Sequence, residues 1–328
     1  MDQATIIFTR LVFGRIFSVL IGWLAYRRRS LSRSGVAGAV ITGTIIFGLG
    51  GLLAGLLLIA FFVSSSALSH YRADRKRDVA EKFDKSAQRD LGQALANGGV
   101  ATMAAVLSGA WLWSAPRPPQ PDSAPWVLLG ALVGALATVN ADTWATEIGV
   151  LSKRPPRMVT DLSRVVEPGT SGGITLLGTF AAVAGATFIG GLALAVYAAL
   201  WNMAGLILGY DQAQALAPAW RSDPGLWLAN TPATGLAAGF PFASLLAIAM
   251  AAPIAGLIGS LADSLLGATV QGIYYDPSRH KETEKPVGRD GMPNPLARGW
   301  RWLNNDWVNF ISSLAGAAVA AFIVRLTQ

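Results

Sequence analysis

The chain contains no cysteine and only two histidines in 328 residues. The lack of thiols excludes a disulfide framework, a thiolate metal site and a cysteine nucleophile, and two histidines leave little scope for an imidazole cluster. Any bound metal must therefore be held mainly by oxygen atoms. Oxygen ligands favour Mg²⁺ or a similar hard cation.

Charge is also scarce, since charged residues make up 14% of the chain and hydrophobic residues 52%. The mean hydropathy is +0.45. This composition excludes an ordinary soluble domain and predicts an all-α, polytopic helical membrane protein, with one integral membrane domain over residues 1–328. We expect roughly eight transmembrane helices, within a range of about 7 to 10. Membrane lipids are expected partners, nucleic acid is not, and a homodimer is left open.

The apolar runs give the expected spans. Residues 6–26 are followed by three consecutive arginines, an order that predicts a retained first helix rather than a cleaved signal peptide. Residues 36–69 are too long for one span and short for two, and a glycine cluster divides them near the middle, which predicts a short hairpin. Further spans are predicted at residues 91–113, 126–150, 174–196, 240–271 and 306–324.

Three basic segments predict the orientation. Residues 70–90 carry seven Lys and Arg, residues 152–173 carry four, and residues 274–301 carry six. By the positive-inside rule these are cytoplasmic loops of a multi-pass integral membrane protein. Asp142 and Glu147, Asp263, and Asp306 lie near the ends of apolar runs that border these loops. We therefore expect a site that faces the cytoplasm.

The segment 197–239 is the least regular part of the chain. Residues 201–210 are apolar, whereas residues 211–234 are nearly neutral and contain Trp and Pro. This pattern is typical of either an inserted loop or an extra span. An extra span would reverse the orientation of the later helices in the membrane, unless residues 240–271 form a hairpin split at Pro253.

Acidic residues at the ends of apolar runs are the main sign of a site. Asp142 and Glu147 end one run, Asp263 lies near the end of another, and Asp306 begins the last. One Asp at the centre of a membrane helix costs roughly 2.5 to 3.5 kcal/mol on insertion, so such residues usually have a function. A packing hydrogen bond or ion pair between spans, or for Asp306 a polar helix start, is the simpler alternative.

The spacing of these acids sets limits on how they meet. Asp142 and Glu147 are about 140° apart around a helix, so they flank one cation only at a helix end or a break, which Gly149 offers. Asp263 has a glycine four residues away on each side. Small residues allow a neighbouring helix to approach closely, and this approach would bring Asp263 to Asp142.

A glycine-rich turn lies between a basic loop and the next span. Residues 165–175 read Val-Val-Glu-Pro-Gly-Thr-Ser-Gly-Gly-Ile-Thr. Glycines let backbone N–H groups converge on a phosphate, and a helix start adds partial positive charge. The Walker lysine spacing is absent, so a helix cap with a tight turn is the alternative. Candidates for further phosphate contacts are Arg89, Asn97, Lys153, Arg154 and Arg157.

Four motifs occur in a fixed order. They are Ala-Asp-Thr-Trp-Ala-Thr-Glu-Ile-Gly at 141–149, Gly-Thr-Ser-Gly-Gly-Ile-Thr at 169–175, Ala-Asp-Ser-Leu-Leu-Gly-Ala-Thr-Val-Gln at 262–271 and Asn-Asp-Trp-Val-Asn-Phe at 305–310. Together they resemble the integral-membrane family that includes plant phytyl-phosphate kinase and vertebrate transmembrane protein 19. Members of that family are thought to be related to CTP-dependent phytol and dolichol kinases and to lipid cytidylyltransferases. The segment 197–239 is longer than is usual there, and residues 275–285 lack the cysteines of some relatives.

The resemblance implies transfer of a phosphoryl group from a nucleoside triphosphate, with CTP as co-substrate, to an isoprenyl monophosphate such as phytyl or geranylgeranyl phosphate. The hypothesis assigns Mg²⁺ to Asp142, Glu147, Asp263 and Asp306, the first three of which are also the catalytic candidates. The residues assigned to nucleotide binding are Asn97, Gly169, Thr170, Ser171, Gly172, Gly173, Arg89 and Asn305.

Two other functions stay open at this point. Lipid cytidylyl transfer uses the same metals and differs in the phosphorus that is attacked. A cation- or proton-coupled transporter also has intramembrane acids and glycine-broken helices. Transporter sites tend to lie near the bilayer midplane, whereas these acids lie close to basic loops.

Overall fold

The computed structural model describes residues 3–72, 88–114, 124–208, 242–288 and 291–327. Within these ranges the chain forms seven helices that are long and apolar enough to cross a membrane. They are α1 (Gln3–Arg27), α2 (Arg33–His70), α3 (Leu91–Ser114), α4 (Ala124–Gly149), α5 (Leu176–Leu208), α6 (Phe242–Thr269) and α7 (Asn305–Leu326). The predicted all-α membrane architecture is confirmed.

Helix α2 is a hairpin rather than one straight span. Gly51 has φ 82° and ψ −179°, a conformation outside the helical region that glycine alone adopts readily. The Phe47 ring packs where a Cβ on Gly55 would lie, although an unbroken helix would separate these residues by about 12 Å. Both ends of α2 reach the same region, because Ser32 N–H donates to the Arg89 carbonyl and the Arg89 guanidinium lies over Phe61. With α2 counted twice, the described residues contain eight spans, in agreement with the roughly eight that the sequence predicts.

Helix α4 lies at the centre of the bundle. In its 18-residue apolar stretch 78% of the residues are buried, against 22% in that of α1. Small residues allow this packing. A Cβ on Gly134 would overlap Ala320 of α7, and one on Gly259 of α6 would overlap Thr138. One hydrophobic cluster joins α2 to α7 around α4, whereas α1 packs against the first half of α2.

One end of the bundle, which we call the loop face, carries residues 27–33, 150–175, 270–288 and 291–304. Its loops contain two small antiparallel sheets that the sequence analysis did not predict. The first has the order β2-β1-β3, with β1 (Arg157–Met158), β2 (Asp161–Val165) and β3 (Gly173–Ile174). The second has the order β5-β4-β6, with β4 (Ile273–Asp276), β5 (Lys281–Thr283) and β6 (Leu296–Arg298).

The ambiguous second half of the chain is partly settled. Pro253 lies within α6, which continues as one helix, so the hairpin alternative for residues 240–271 is wrong. Helix α5 extends to Leu208, and the rest of 197–239 lies outside the described residues. Most of the basic segment 70–90 also lies outside them. The C-terminal ends of α2, α4 and α6 all lie at the loop face, as expected if α2 crosses the bundle twice.

Candidate functional site

A cavity of about 820 Å³ opens at the loop face, between the ends of the helices. It is lined by all twelve residues that the sequence analysis assigned to catalysis, metal binding or nucleotide binding: Arg89, Asn97, Asp142, Glu147, Gly169, Thr170, Ser171, Gly172, Gly173, Asp263, Asn305 and Asp306. These residues come from α3, α4, α6, α7, the 88–90 segment and the glycine turn. The fold therefore brings the four motifs to one place.

The acidic centre of the cavity is the pair Asp142 and Asp263. Asp142 accepts a hydrogen bond from Ser260 of α6, and Asp263 accepts one from the Ser312 hydroxyl of α7 at 3.2 Å. The two carboxylates interact electrostatically across the α4–α6 contact. The glycines beside Asp263 are in close contacts, as the sequence predicts: Gly259 packs on Thr138, and Gly267 packs on Ser171.

Glu147 lies on a different wall from Asp142. It accepts a hydrogen bond from the Ser69 hydroxyl of α2 at 2.6 Å and interacts electrostatically with Arg89. This separation follows from the 140° between the two positions on α4, because the helix continues through Gly149 without an earlier break. Glu147 therefore belongs to the Arg89 side of the cavity.

Arg89 is held by its backbone and its side chain. Its N–H donates to the Ser30 carbonyl at 3.0 Å, and its carbonyl accepts from Ser32 at 3.0 Å. The guanidinium lies 5.2 Å from the ring centre of Phe61 and 5.7 Å from that of Phe62. Burial lowers the pKa of Arg89 to about 10, and Glu147 opposes this shift. The side chain thus stays cationic at neutral pH beside an apolar wall.

The glycine turn differs in detail from the predicted helix start. Gly169 and Gly172 have φ of 79° and 85°, but the N–H groups of Thr170 and Gly173 donate to carbonyls within the turn at 3.1 and 2.9 Å. The turn leads into β3, and Thr175 caps α5 by accepting from Gly178 N–H at 3.0 Å. Two of its amides are therefore occupied, while residues 169–173 line the cavity.

The basic candidates divide into two groups. Lys153 and Arg154 line the cavity, together with Arg301, which the sequence analysis did not select. Arg157 does not line it, because its Nη1 donates to the carbonyls of Leu162 and Ser163 at 2.6 and 3.3 Å. The expectation that Arg157 contacts phosphate is therefore replaced by a role within the β1–β2 sheet.

The start of α7 contributes a polar edge to the cavity. Asn304 caps the helix by accepting from Trp307 N–H at 3.2 Å. Asn305 and Asp306 follow in the first turn and line the cavity, and Asn97 of α3 also lines it. The capping residue precedes the fourth motif, so the cap does not account for Asn305 and Asp306, which the motif contributes to the cavity lining.

The donors suit a hard cation only in part. Among the described residues, no three acidic or histidine side chains are grouped as a metal site would require. The four predicted carboxylates therefore line one cavity but do not form a single group of metal ligands. Asp142 and Asp263, with the Ser260 and Ser312 hydroxyls, form an all-oxygen set of the kind that suits Mg²⁺ shared with substrate phosphates.

Several cavity residues could not be selected from the sequence. The Ser260 and Ser69 hydroxyls line the cavity and contact Asp142 and Glu147, and Glu284 and Gln271 form another part of its wall. Ser312, which donates to Asp263, is not itself part of the lining. Serine and glutamine are common on loops and helices, so their types carry no signal. The one available sign was Gln271, which ends the third motif.

Comparison with known proteins gives consistent matches over most of the chain. The model of the family Integral membrane protein DUF92 matches residues 16–317, a range that contains every predicted site residue. Protein PGR of Arabidopsis thaliana is 34% identical over 308 residues, which cover 93% of this chain and 93% of that protein. An uncharacterized membrane protein of Methanocaldococcus jannaschii is 32% identical over 181 residues, which cover 55% of this chain and 69% of that protein. No solved structure gives a significant match.

Proposed function

We propose, for a chain that belongs to the DUF92 family of integral membrane proteins, that it is a membrane phosphotransferase. It transfers the γ-phosphoryl group of a nucleoside triphosphate, CTP in the first instance, to an isoprenyl monophosphate. The products are the isoprenyl diphosphate and a nucleoside diphosphate. The motif resemblance to the phytyl-phosphate kinase family supplies the substrate class, and the cavity supplies the chemistry.

The observation that carries the proposal is the acid pair in a cationic cavity. Asp142 of α4 and Asp263 of α6 line the cavity and interact electrostatically. Arg89, Lys153, Arg154 and Arg301 line the same cavity. Phosphoryl transfer requires positioning and neutralisation of charge on the triphosphate. Asp142 and Asp263 would hold Mg²⁺, which supplies that neutralisation when bound.

The chemistry places few further demands on the protein. The acceptor is already a phosphate anion, so its oxygen attacks the γ-phosphorus without a general base. The bond from the γ-phosphorus to the bridging oxygen then breaks, and the electron pair leaves with the nucleoside diphosphate. The arginines and lysines hold the oxygens of both substrates, and Ser260 and Ser312 fix the carboxylates.

The depth of the acids favours an enzyme over a transporter. Asp142 lies seven residues before the end of α4 at Gly149, and Asp263 lies six before the end of α6 at Thr269. Both are therefore within about two turns of the loop face. By the positive-inside rule the loop face lies in the cytoplasm, where nucleoside triphosphates are available.

The test is an assay of purified protein in detergent with Mg²⁺, γ-³²P-labelled CTP and a panel of isoprenyl monophosphates. We expect label in the lipid diphosphate, and we expect Asp142→Asn and Asp263→Asn each to lower kcat at least about a hundredfold. Asp161→Asn is the matched control, because Asp161 lies on β2 outside the cavity, where its carboxylate accepts hydrogen bonds from the Ser163 N–H and hydroxyl. It should retain wild-type activity.

The same assay separates the alternatives. Incorporation from α-labelled CTP without transfer of the γ-label would replace the proposal by cytidylyl transfer. No incorporation from either label would contradict both enzyme assignments and favour a transporter. Equal activity of Asp142→Asn and Asp161→Asn would remove the acid pair from the mechanism.

A further inference from the structure

We propose that Gln271 is the positioning residue of this site, whose side-chain amide holds the glycine turn and Glu284 in one fixed arrangement at the cavity wall. The inference rests on the proposed function, since it assigns Gln271 a part in binding the nucleotide. Gln271 follows the end of α6 and is 1% exposed.

The amide of Gln271 uses both of its ends. Its Oε1 accepts a hydrogen bond from the Ser171 hydroxyl of the glycine turn at 2.7 Å. Its Nε2 donates to Glu284 Oε1, in the loop after β5, at 3.0 Å. Because a carboxylate only accepts and the amide nitrogen only donates, the Glu284 contact fixes which end of the amide meets Ser171.

The backbone around Gln271 is also fixed. Gln271 N–H donates to the Leu266 carbonyl at 3.0 Å, and Gly272 N–H donates to the Leu303 carbonyl at 2.9 Å. Gly299, with φ of 75°, packs so closely that a Cβ there would overlap the Gln271 carbonyl. The side chain therefore projects from a rigid junction between α6 and the segment that leads to α7.

Arg298 makes a second connection to the same turn. Its Nη1 donates to the Gly267 carbonyl at 2.6 Å, and its Nη2 donates to the Ser171 carbonyl at 3.2 Å. Gly172 packs on Ala268 with no room for a Cβ. Arg298 and Gly172 thus fix the backbone of the turn against α6, whereas Gln271 orients the Ser171 hydroxyl.

The position of Glu284 gives the arrangement a chemical purpose. Glu284 lines the cavity and interacts electrostatically with Asp263. A single amide therefore joins the phosphate-binding turn to the acidic centre. Loss of that amide releases the Ser171 hydroxyl and Glu284 while Asp142 and Asp263 keep their own serine partners, so we expect weaker nucleotide binding with little change in the transfer step.

The experiment measures KM and kcat for CTP with the full-length protein in detergent. We expect Gln271→Leu to raise KM about tenfold, from the loss of two buried hydrogen bonds, with kcat within about twofold of wild type. Asn294→Leu is the matched control, because Asn294 is a buried amide of the same loop region that donates to the Lys285 carbonyl at 2.9 Å and does not line the cavity. It should lower the melting temperature and leave KM unchanged.

Two further variants test the route of the effect. Ser171→Ala combined with Gln271→Leu should raise KM no more than Gln271→Leu alone, because Gln271→Leu already removes the hydrogen bond between the two side chains. Gln271→Glu should raise KM more than Gln271→Leu, since it sets a second carboxylate against Glu284. Adding Glu284→Gln should recover part of that loss, because the exchanged pair restores one donor and one acceptor.

Three results would overturn the inference. The first is an unchanged KM in Gln271→Leu. The second is a fall in kcat that accompanies a lower melting temperature while KM stays constant, because this result indicates a structural role only. Additive effects of Ser171→Ala and Gln271→Leu would show that they act separately. These outcomes require an active wild-type protein, whereas failure of the wild type to transfer label contradicts the proposed function itself.

Discussion

Asn140 is a buried polar residue that connects three helices of the bundle. It is fully buried two residues before Asp142, accepts from the Ser64 hydroxyl at 3.0 Å, and donates to the Gly185 carbonyl at 2.7 Å. These bonds connect α4 to α2 and α5. Asn140 therefore fixes the rotation of α4, and with it the walls that Asp142 and Glu147 face.

We predict that Asn140→Leu destabilises the protein by about 1 to 3 kcal/mol, because it removes two interhelical hydrogen bonds of a buried amide, the one from the Ser64 hydroxyl and the one to the Gly185 carbonyl. The measurement is thermal unfolding in detergent. Thr187→Val is the control: the Thr187 hydroxyl is exposed and bonds only the Val183 carbonyl of its own helix at 2.7 Å. An equal loss of stability in both variants would contradict a special role for Asn140.

Individual acidic residues could be selected from the sequence because a carboxylate near a membrane span is expensive. Gln271 and Glu284 could not be selected, since their importance comes from contacts with Ser171 and Asp263 that sequence spacing does not reveal. The grouping of Asp142 with Glu147 was the weaker part of the hypothesis. Helical geometry already set them about 140° apart, and the structure keeps α4 intact between them.

The hairpin of α2 depends on one backbone position. Gly51 has φ 82° and ψ −179°, a backbone conformation that residues with a Cβ atom avoid. We predict that Gly51→Ala costs about 1 to 3 kcal/mol and lowers the yield of folded protein. Gly191→Ala is the control, because a Cβ at this α5 position meets nothing within 4 Å. Size-exclusion chromatography and thermal unfolding of both variants provide the measurement, and a wild-type profile for Gly51→Ala would show that the turn tolerates a side chain.

The elements differ in how well the sequence predicts them. Length and hydropathy indicate every described span, and the glycine cluster indicates the break in α2. The six strands are two to five residues long and lie in polar loops, so they lack the period of a longer strand. The glycine turn does end at a helix start, since its last residue, Thr175, caps α5, but the strand β3 within it was not predicted.

The whole molecule has two different faces, and its lack of cysteine makes them easy to distinguish. We predict that Ser114→Cys, at the end of α3, reacts with a membrane-impermeant maleimide in intact cells. Ser163→Cys, in β2 on the loop face, should react only after permeabilisation. The parent chain has no cysteine and gives no background. The reverse pattern would place the loop face outside the cytoplasm.

The cavity wall uses residues from both ends of the sequence. Arg89 is fixed by residues 30–32 next to α1, whereas Ser312 of α7 holds Asp263. During synthesis, Asp142 therefore enters the membrane with the first five helices, before Asp263 of α6 is present. Asp263 in turn lacks its hydrogen bond from Ser312 until α7 follows. The site is completed only when the last helix has left the ribosome and docked beside α4, so a chain truncated before residue 305 has no complete site however well its other helices insert.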